Sequence, residues 1–239
     1  MAVSIDTVYQ RVLAIANKEQ RGYITPQEFN LFANQAQLRI FENYFYELDK
    51  FLRLPGNDSA YSDRINILEE KIAFFEKYNI DMTTVNSATM TLPTDVYRLG
   101  TVFYNDGTKS IRVESVTPKE VELMQQTALY KATQLRPVYA RRSATTLQFY
   151  PSSATPAYST STVNCNYVAK PTTASWGYNI TLGQATYNSA TSVDFELHPS
   201  EETSLVFDIL ELAGIMMEDP GLVNVANQEE ASKNQQELM

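Results

Sequence analysis

Apolar side chains recur at helical spacing along the first third of the chain. Ile5, Val8, Val12 and Ile15 fall three or four residues apart, with Tyr9, Leu13 and Ala16 widening the stripe. This predicts an amphipathic helix over residues 5–18, with Gly22 ending the unit. Thr25-Pro26-Gln27-Glu28 then carries the start signals of a second helix: a Thr cap, Pro at the first position and Glu to reach back to the cap amide. That helix runs to about Leu52. Phe29, Phe32, Ala36, Ile40, Tyr44 and Leu48 lie on one face, with Phe41, Phe45 and Phe51 beside them. Pro55-Gly56-Asn57-Asp58-Ser59 breaks the pattern, and Tyr61, Ile65, Leu68, Ile72 and Phe75 restore it as a third helix.

From Thr83 the period shortens and β-branched and aromatic residues increase. Tyr97–Tyr104 and Ser110–Val116 flank Asn105-Asp106-Gly107, a hairpin signal. Thr117-Pro118-Lys119-Glu120 repeats the earlier capping pattern and predicts a short helix over 118–129. Further strands are expected at Pro137–Arg141, Thr145–Tyr150, Thr162–Ala169 and Ser192–Leu197, with the Ser/Thr/Ala/Pro-rich stretch 152–161 as a loop between strands. Ser200-Glu201-Glu202 opens a helix lined by Leu205, Ile209, Leu212 and Met216. Asp219-Pro220 opens a last one, which turns polar from Gln228.

Helices, then strands, then helices is the order of an α+β fold rather than of alternating βαβ units. The expected architecture is an N-terminal helical bundle (1–82), a mostly antiparallel β-rich module with a short inserted helix (83–199), and C-terminal helices (200–239) that pack on the N-terminal ones as one domain. No repeat of fixed period interrupts this order.

Composition narrows the function classes. Of 239 residues, 44% are hydrophobic and 20% charged, enough apolar surface to fold a core. A lone Cys165 excludes an internal disulfide and fits folding in a reducing compartment. No basic start followed by an apolar run opens the sequence, and no apolar stretch reaches the roughly 18 residues of a membrane span, so neither export nor membrane insertion is expected. A net charge of −9 repels phosphate backbones and disfavours sequence-specific nucleic-acid binding.

Candidate chemistry is sparse. His198 precedes Pro199 with no second His or Cys beside it, the pattern of a local hydrogen bond at an element boundary more than of a zinc ligand. Cys165 sits mid-strand, where a free thiol behaves as a small hydrophobe unless a neighbour activates it. Glu69-Glu70 and Glu201-Glu202 supply carboxylates. A hydrolase, such as a wall-degrading enzyme, would need two acids converging in a cleft. No phosphate-binding glycine loop or calcium loop occurs, so no catalytic residue, cofactor or metal is assigned. Candidate contacts remain. Arg136, Arg141 and Arg142, with Lys131 and Tyr139, form a basic cluster suited to ion pairing or a phosphate contact. The aromatic stripe containing Phe41, Tyr44 and Phe45 suits a core or a partner-helix interface. Trp176, with Tyr178 and Tyr187 in Gly/Asn/Thr-rich surroundings, suits a loop core or a receptor- or glycan-binding surface.

Several segments resemble those of virion structural proteins of short-tailed phages, in particular the head-to-tail adaptor or neck ring proteins of crAss-like phages. They are Ile24-Thr25-Pro26-Gln27-Glu28-Phe29-Asn30 with its long helix, Leu92-Pro93-Thr94-Asp95-Val96-Tyr97-Arg98-Leu99 and Arg136-Pro137-Val138-Tyr139. Leu147-Gln148-Phe149-Tyr150-Pro151, Asn166-Tyr167-Val168-Ala169-Lys170-Pro171, and Asp194-Phe195-Glu196-Leu197 through Leu212-Ala213-Gly214-Ile215 belong with them. The resemblance implies a non-enzymatic subunit of a ring of roughly twelve copies. That ring would sit in the neck of the virion around the DNA channel, assembled in the host cytoplasm, with portal and tail proteins as partners and no membrane. An acidic wall would let DNA pass without holding it.

Overall fold

The computed structural model describes residues 3–18, 24–53, 59–86, 88–154, 156–181 and 183–216. Gly22, the break at 55–58 and the helix expected after Asp219-Pro220 lie outside them. The fold is α+β, in two compact units: residues 1–74 with 171–239, and residues 75–170. The helices are α1 (Ile5–Lys18), α2 (Pro26–Arg53), α3 (Ser59–Ala73), α4 (Pro118–Gln126) and α5 (Glu202–Met216).

In the helical unit α5 packs on α1 and α2, and α3 packs on α2. Leu205, Val206, Ile209, Leu210 and Ala213 of α5 are all buried, a stripe wide enough to serve two neighbouring helices at once. Ile5, Val8, Tyr9 and Val12 of α1 and Phe29, Ala33, Ala36, Ile40 and Phe41 of α2 are buried as well. Thr25 caps α2 as its sequence foretells: its side chain accepts from Glu28 N–H (3.3 Å), and the Glu28 carboxylate accepts from Thr25 N–H (2.9 Å).

A ladder of amides on α2 fixes the chain after residue 170. Asn34 Nδ2 donates to Ala174 O (2.8 Å), while Ala174 N–H donates to Asn34 Oδ1 (2.8 Å). Asn30 makes the same exchange with Trp176 (3.3 and 2.8 Å), and Gln37 Nε2 donates to Thr172 O (2.7 Å). Four helical residues advance ~6 Å and two extended residues ~6.6 Å, so amides at i and i+4 meet every second residue of an extended segment. Asn34→Ala removes both bonds to Ala174 and should cost about 1–3 kcal/mol. An unchanged denaturant midpoint would refute the ladder.

Residues 192–197 were expected to be a strand but make only isolated bridges, Val193 to Ser175 and Phe195 to Val3. The alternation itself holds, with Phe195 and Leu197 buried. What fails is a continuous partner: the Asp194 and Glu196 carboxylates accept from Ile5 N–H and Thr172 N–H (2.9 Å each), where a ladder would continue.

The second unit is built on one sheet of eight strands: β1 (Glu76–Asp81), β2 (Thr83–Asn86), β3 (Thr89–Thr91), β4 (Val96–Asn105), β5 (Ser110–Val116), β6 (Val138–Arg141), β7 (Thr146–Tyr150) and β8 (Val163–Ala169). Their spatial order is β1-β8-β4-β5-β6-β7-β3-β2, antiparallel except for β5 beside β6. That parallel pair needs a crossover, which α4 supplies behind a Thr117/Glu120 capping box. The two outermost strands are consecutive in the chain, separated only by Met82, so the sheet curls until its edges meet there. Met82 N–H donates to Val163 O (3.1 Å). Enclosed are Met82, Met90, Val102, Tyr104, Leu147, Phe149, Tyr158, Val163 and Cys165.

The hairpin turns where expected: Asp106 Oδ1 accepts from Thr108 and Lys109 N–H (2.9 Å each), and Gly107 takes φ 87°. At Gly100 a Cβ would lie 2.9 Å from Asn166 O, so only glycine lets β4 bulge this close to β8. The unit boundaries fall at 74/75 and 170/171 rather than at 82/83 and 199/200. β1 pairs with β8, drawing 76–82 into the sheet, and the amide ladder holds 172–176 on α2.

Candidate interaction surfaces

Of the residues offered for an interface, Phe41, Tyr44 and Trp176 take the other reading and are core. Phe41 and Tyr44 are buried because α2 is covered by both α3 and α5, which consume its wide aromatic stripe within the unit. Phe45 is half-buried, edge-on to Phe41 at 5.1 Å. Trp176 is buried too, its ring against Tyr9 at 4.2 Å and its Nε1–H donating to Asp6 Oδ1 (2.9 Å). Its other neighbours are Tyr178 (5.9 Å, stacked) and Tyr187 (5.8 Å), on a hairpin of β9 (Tyr178–Thr181) and β10 (Gln184–Tyr187). Packed against three rings and tied at its nitrogen, Trp176 offers no free face to a sugar. This hairpin carries no long apolar alternation and was not foreseen as strands.

The basic cluster does lie on the surface. Lys131, Arg136, Arg141 and Arg142 are exposed, and Arg142 Nη1 reaches Gln148 Oε1 (3.4 Å). Tyr139 is buried against Phe149. The helix expected over 118–129 from its capping signal ends instead at Gln126, with Thr127 in extended conformation. The loop 127–136 that follows is folded on itself: Tyr130 and Lys131 N–H both donate to Thr127 O (3.2 and 3.1 Å), and Arg136 N–H donates to Thr133 O (3.0 Å). It exposes Leu129 (85%), Tyr130 (68%) and Leu135 (67%) beside Lys131 and Arg136. Three large apolar side chains this exposed within ten residues form a patch of the kind that marks interaction sites.

The helical unit has a different outward face. Glu28, Leu31, Gln35, Leu38, Glu42, Tyr46 and Asp49 of α2 are all exposed and follow one another at intervals of three or four residues. They form a single stripe down the helix, apolar side chains alternating with three acids and Gln35. Asp49 pairs with Arg53 at 2.8 Å. Sequence reasoning missed this stripe altogether, because Leu31, Leu38 and Tyr46 lie off the dominant aromatic face.

No protein-family profile and no curated protein matches the chain.

The groups considered for chemistry have structural surroundings. His198 Nδ1 accepts from Ser200 N–H (3.2 Å) and caps the 3₁₀ turn Pro199–Glu201, with its ring edge-on to Phe74. Glu201 is buried against Lys71 (2.7 Å), Glu202 meets Arg11 (3.0 Å), and Glu69 and Glu70 are exposed. Among the described residues no group of three or more His, Cys, Asp or Glu is placed to hold a metal ion, and no helix is long and apolar enough to cross a membrane. The Asp95 carboxyl is partly buried, which alone would raise its pKa. Lys77 (2.6 Å) and the Tyr167 hydroxyl (2.9 Å) outweigh this and lower it. Cys165 is fully buried between β1 and β4, and burial, helped by Asp95, pushes its thiol up to about 11. At pH 8 it should therefore react with a thiol-specific aromatic disulfide only after denaturant is added. Rapid labelling of the native protein would contradict its placement.

Charge divides unevenly between the units. Residues 75–170 hold ten Lys/Arg against seven Asp/Glu, and the rest nine against twenty-one, so −9 is the sum of +3 and −12. Within the described part of the helical unit the ratio is seven bases to fourteen acids. An acidic protein by bulk charge thus carries a basic sheet unit.

Proposed function

We propose that this chain is a virion structural protein, one subunit of an oligomeric ring in the head-to-tail connector of a short-tailed phage. In that role it lines part of the channel through which the genome leaves, with portal and tail proteins above and below it and DNA passing without sequence-specific contact. The observation that carries the reading is the chemical unlikeness of the two units. One is acidic with an apolar–acidic helix face; the other is net basic with an exposed apolar–basic loop. A closed ring is built from head-to-tail contacts between two unlike patches, whereas a two-fold dimer joins like patches. The resemblance of segments from Ile24 to Ile215 to neck ring proteins supports this place in the particle, and an acidic unit suits a wall past which DNA must slide.

The test is co-production with the portal and tail proteins of the same phage, followed by affinity capture on the portal. The expected outcome is a stable complex with this chain in a fixed multiple. Failure to associate with either neighbour, under conditions where those two bind each other, would refute the connector role.

A further inference from the structure

We propose that the outward stripe of α2 receives the 127–136 loop of a second copy of this chain, and that this contact is the repeating interface of the ring. The inference rests on the ring reading and names the surfaces it uses. The two patches are complementary in both respects that decide a contact. Leu129, Tyr130 and Leu135 are matched by Leu31 (71% exposed), Leu38 and Tyr46, while Lys131 and Arg136 are matched by Glu28, Glu42 and Asp49. The loop contains no acid and the stripe no base. Among the described residues neither Lys131, Arg136 nor Glu42 forms an ion pair within its own chain, so each charge is available to a neighbour. The apolar residues supply contact area; the charges set orientation and exclude like-on-like pairing, since loop on loop or stripe on stripe would set equal charges together. The interface is therefore head-to-tail, the arrangement that closes into a ring. The stripe spans Glu28 to Asp49, about 31 Å of helix, long enough to seat a loop of this size with tolerance along one direction.

The experiment uses the full chain and measures mass by light scattering across a concentration series at low and high salt. Lys131→Glu/Arg136→Glu should weaken self-association about tenfold or more, with the wild-type interaction also weakening as salt rises. Adding Glu42→Lys/Asp49→Lys to the same chain should restore it, because the reversed charges again face opposites. All four positions are exposed, and circular dichroism checks that each variant is folded. A trapping arm mixes Leu38→Cys and Leu135→Cys chains under mild oxidation: the mixture should give a two-chain disulfide species, and either variant alone should not. Cys165, being buried, stays out of the reaction. If the wild type assembles but is indifferent to the charge reversals and no mixed disulfide forms, this interface is wrong while the ring reading stands. Self-linking of Leu135→Cys alone would overturn it in favour of a symmetric contact. A wild type that stays monomeric at every concentration overturns both.

Discussion

Phe149→Ala should destabilise the sheet unit by about 3–5 kcal/mol. Phe149 is fully buried on β7 and stands in a file of rings, 5.9 Å from Tyr139 and 5.1 Å from Tyr158, which in turn meets Tyr104 at 4.9 Å. The site lies inside the curl of the sheet, where strands on every side are held by ladder hydrogen bonds, so the neighbours cannot collapse into the space left by a missing ring. Its backbone is fixed as well, with Phe149 N–H donating to Ala88 O (2.7 Å). Phe149→Leu keeps most of the volume and should cost much less, roughly 1–2 kcal/mol. Denaturant unfolding followed by far-ultraviolet circular dichroism reads both. A cost under about 1 kcal/mol for the alanine variant would mean the sheet does not enclose this residue.

Lys71→Met should cost a similar amount, about 3–5 kcal/mol, by a different mechanism. Lys71 Nζ lies 2.7 Å from Glu201 Oε1, with side chains only 14% and 3% exposed, and its ammonium also sits over the Tyr44 ring at 5.6 Å. The pair ties α3 to the turn that begins α5. Methionine preserves the apolar stem of the side chain but takes the ammonium away from the buried Glu201 carboxylate. The double variant Lys71→Met/Glu201→Leu removes both charges and should recover most of the loss, since an apolar pair of similar volume commonly equals a buried ion pair. Trp176 is the chain's one tryptophan and lies in the same unit, so its fluorescence follows this unfolding. A single variant as stable as wild type would show the pair to be solvated.

Helix periodicity and capping made the helical unit legible from residues alone: α1, α2 and α3 begin and end within a few residues of expectation. The strands β4 to β8 were legible because alternation and turn chemistry agree, as at Asn105-Asp106-Gly107. Three features were not. Closure of the sheet at Met82 depends on β1, whose burial shows no alternation because edge pairing, not a buried face, holds it. The role of Asn30, Asn34 and Gln37 was invisible because amides on a helix read as solvated until a partner backbone is placed beside them. Burial of Phe41, Tyr44 and Trp176 could not be told from exposure by pattern, since a wide aromatic stripe serves a core and a docking face equally well. The surface patches emerged instead where local patterns broke: apolar residues in loop 127–136 past the true end of α4, and apolar residues on the minor face of α2.

The most direct test of the proposed connector role is single-particle imaging of phage particles purified from cells that produce this chain, with symmetry relaxed at the head-to-tail vertex. The expected map shows a ring at that vertex, each subunit matching a bundle of α1, α2, α3 and α5 together with an eight-stranded curled sheet, repeated around the DNA channel. Finding this fold only at the distal tail tip, or not in the particle at all, would contradict it.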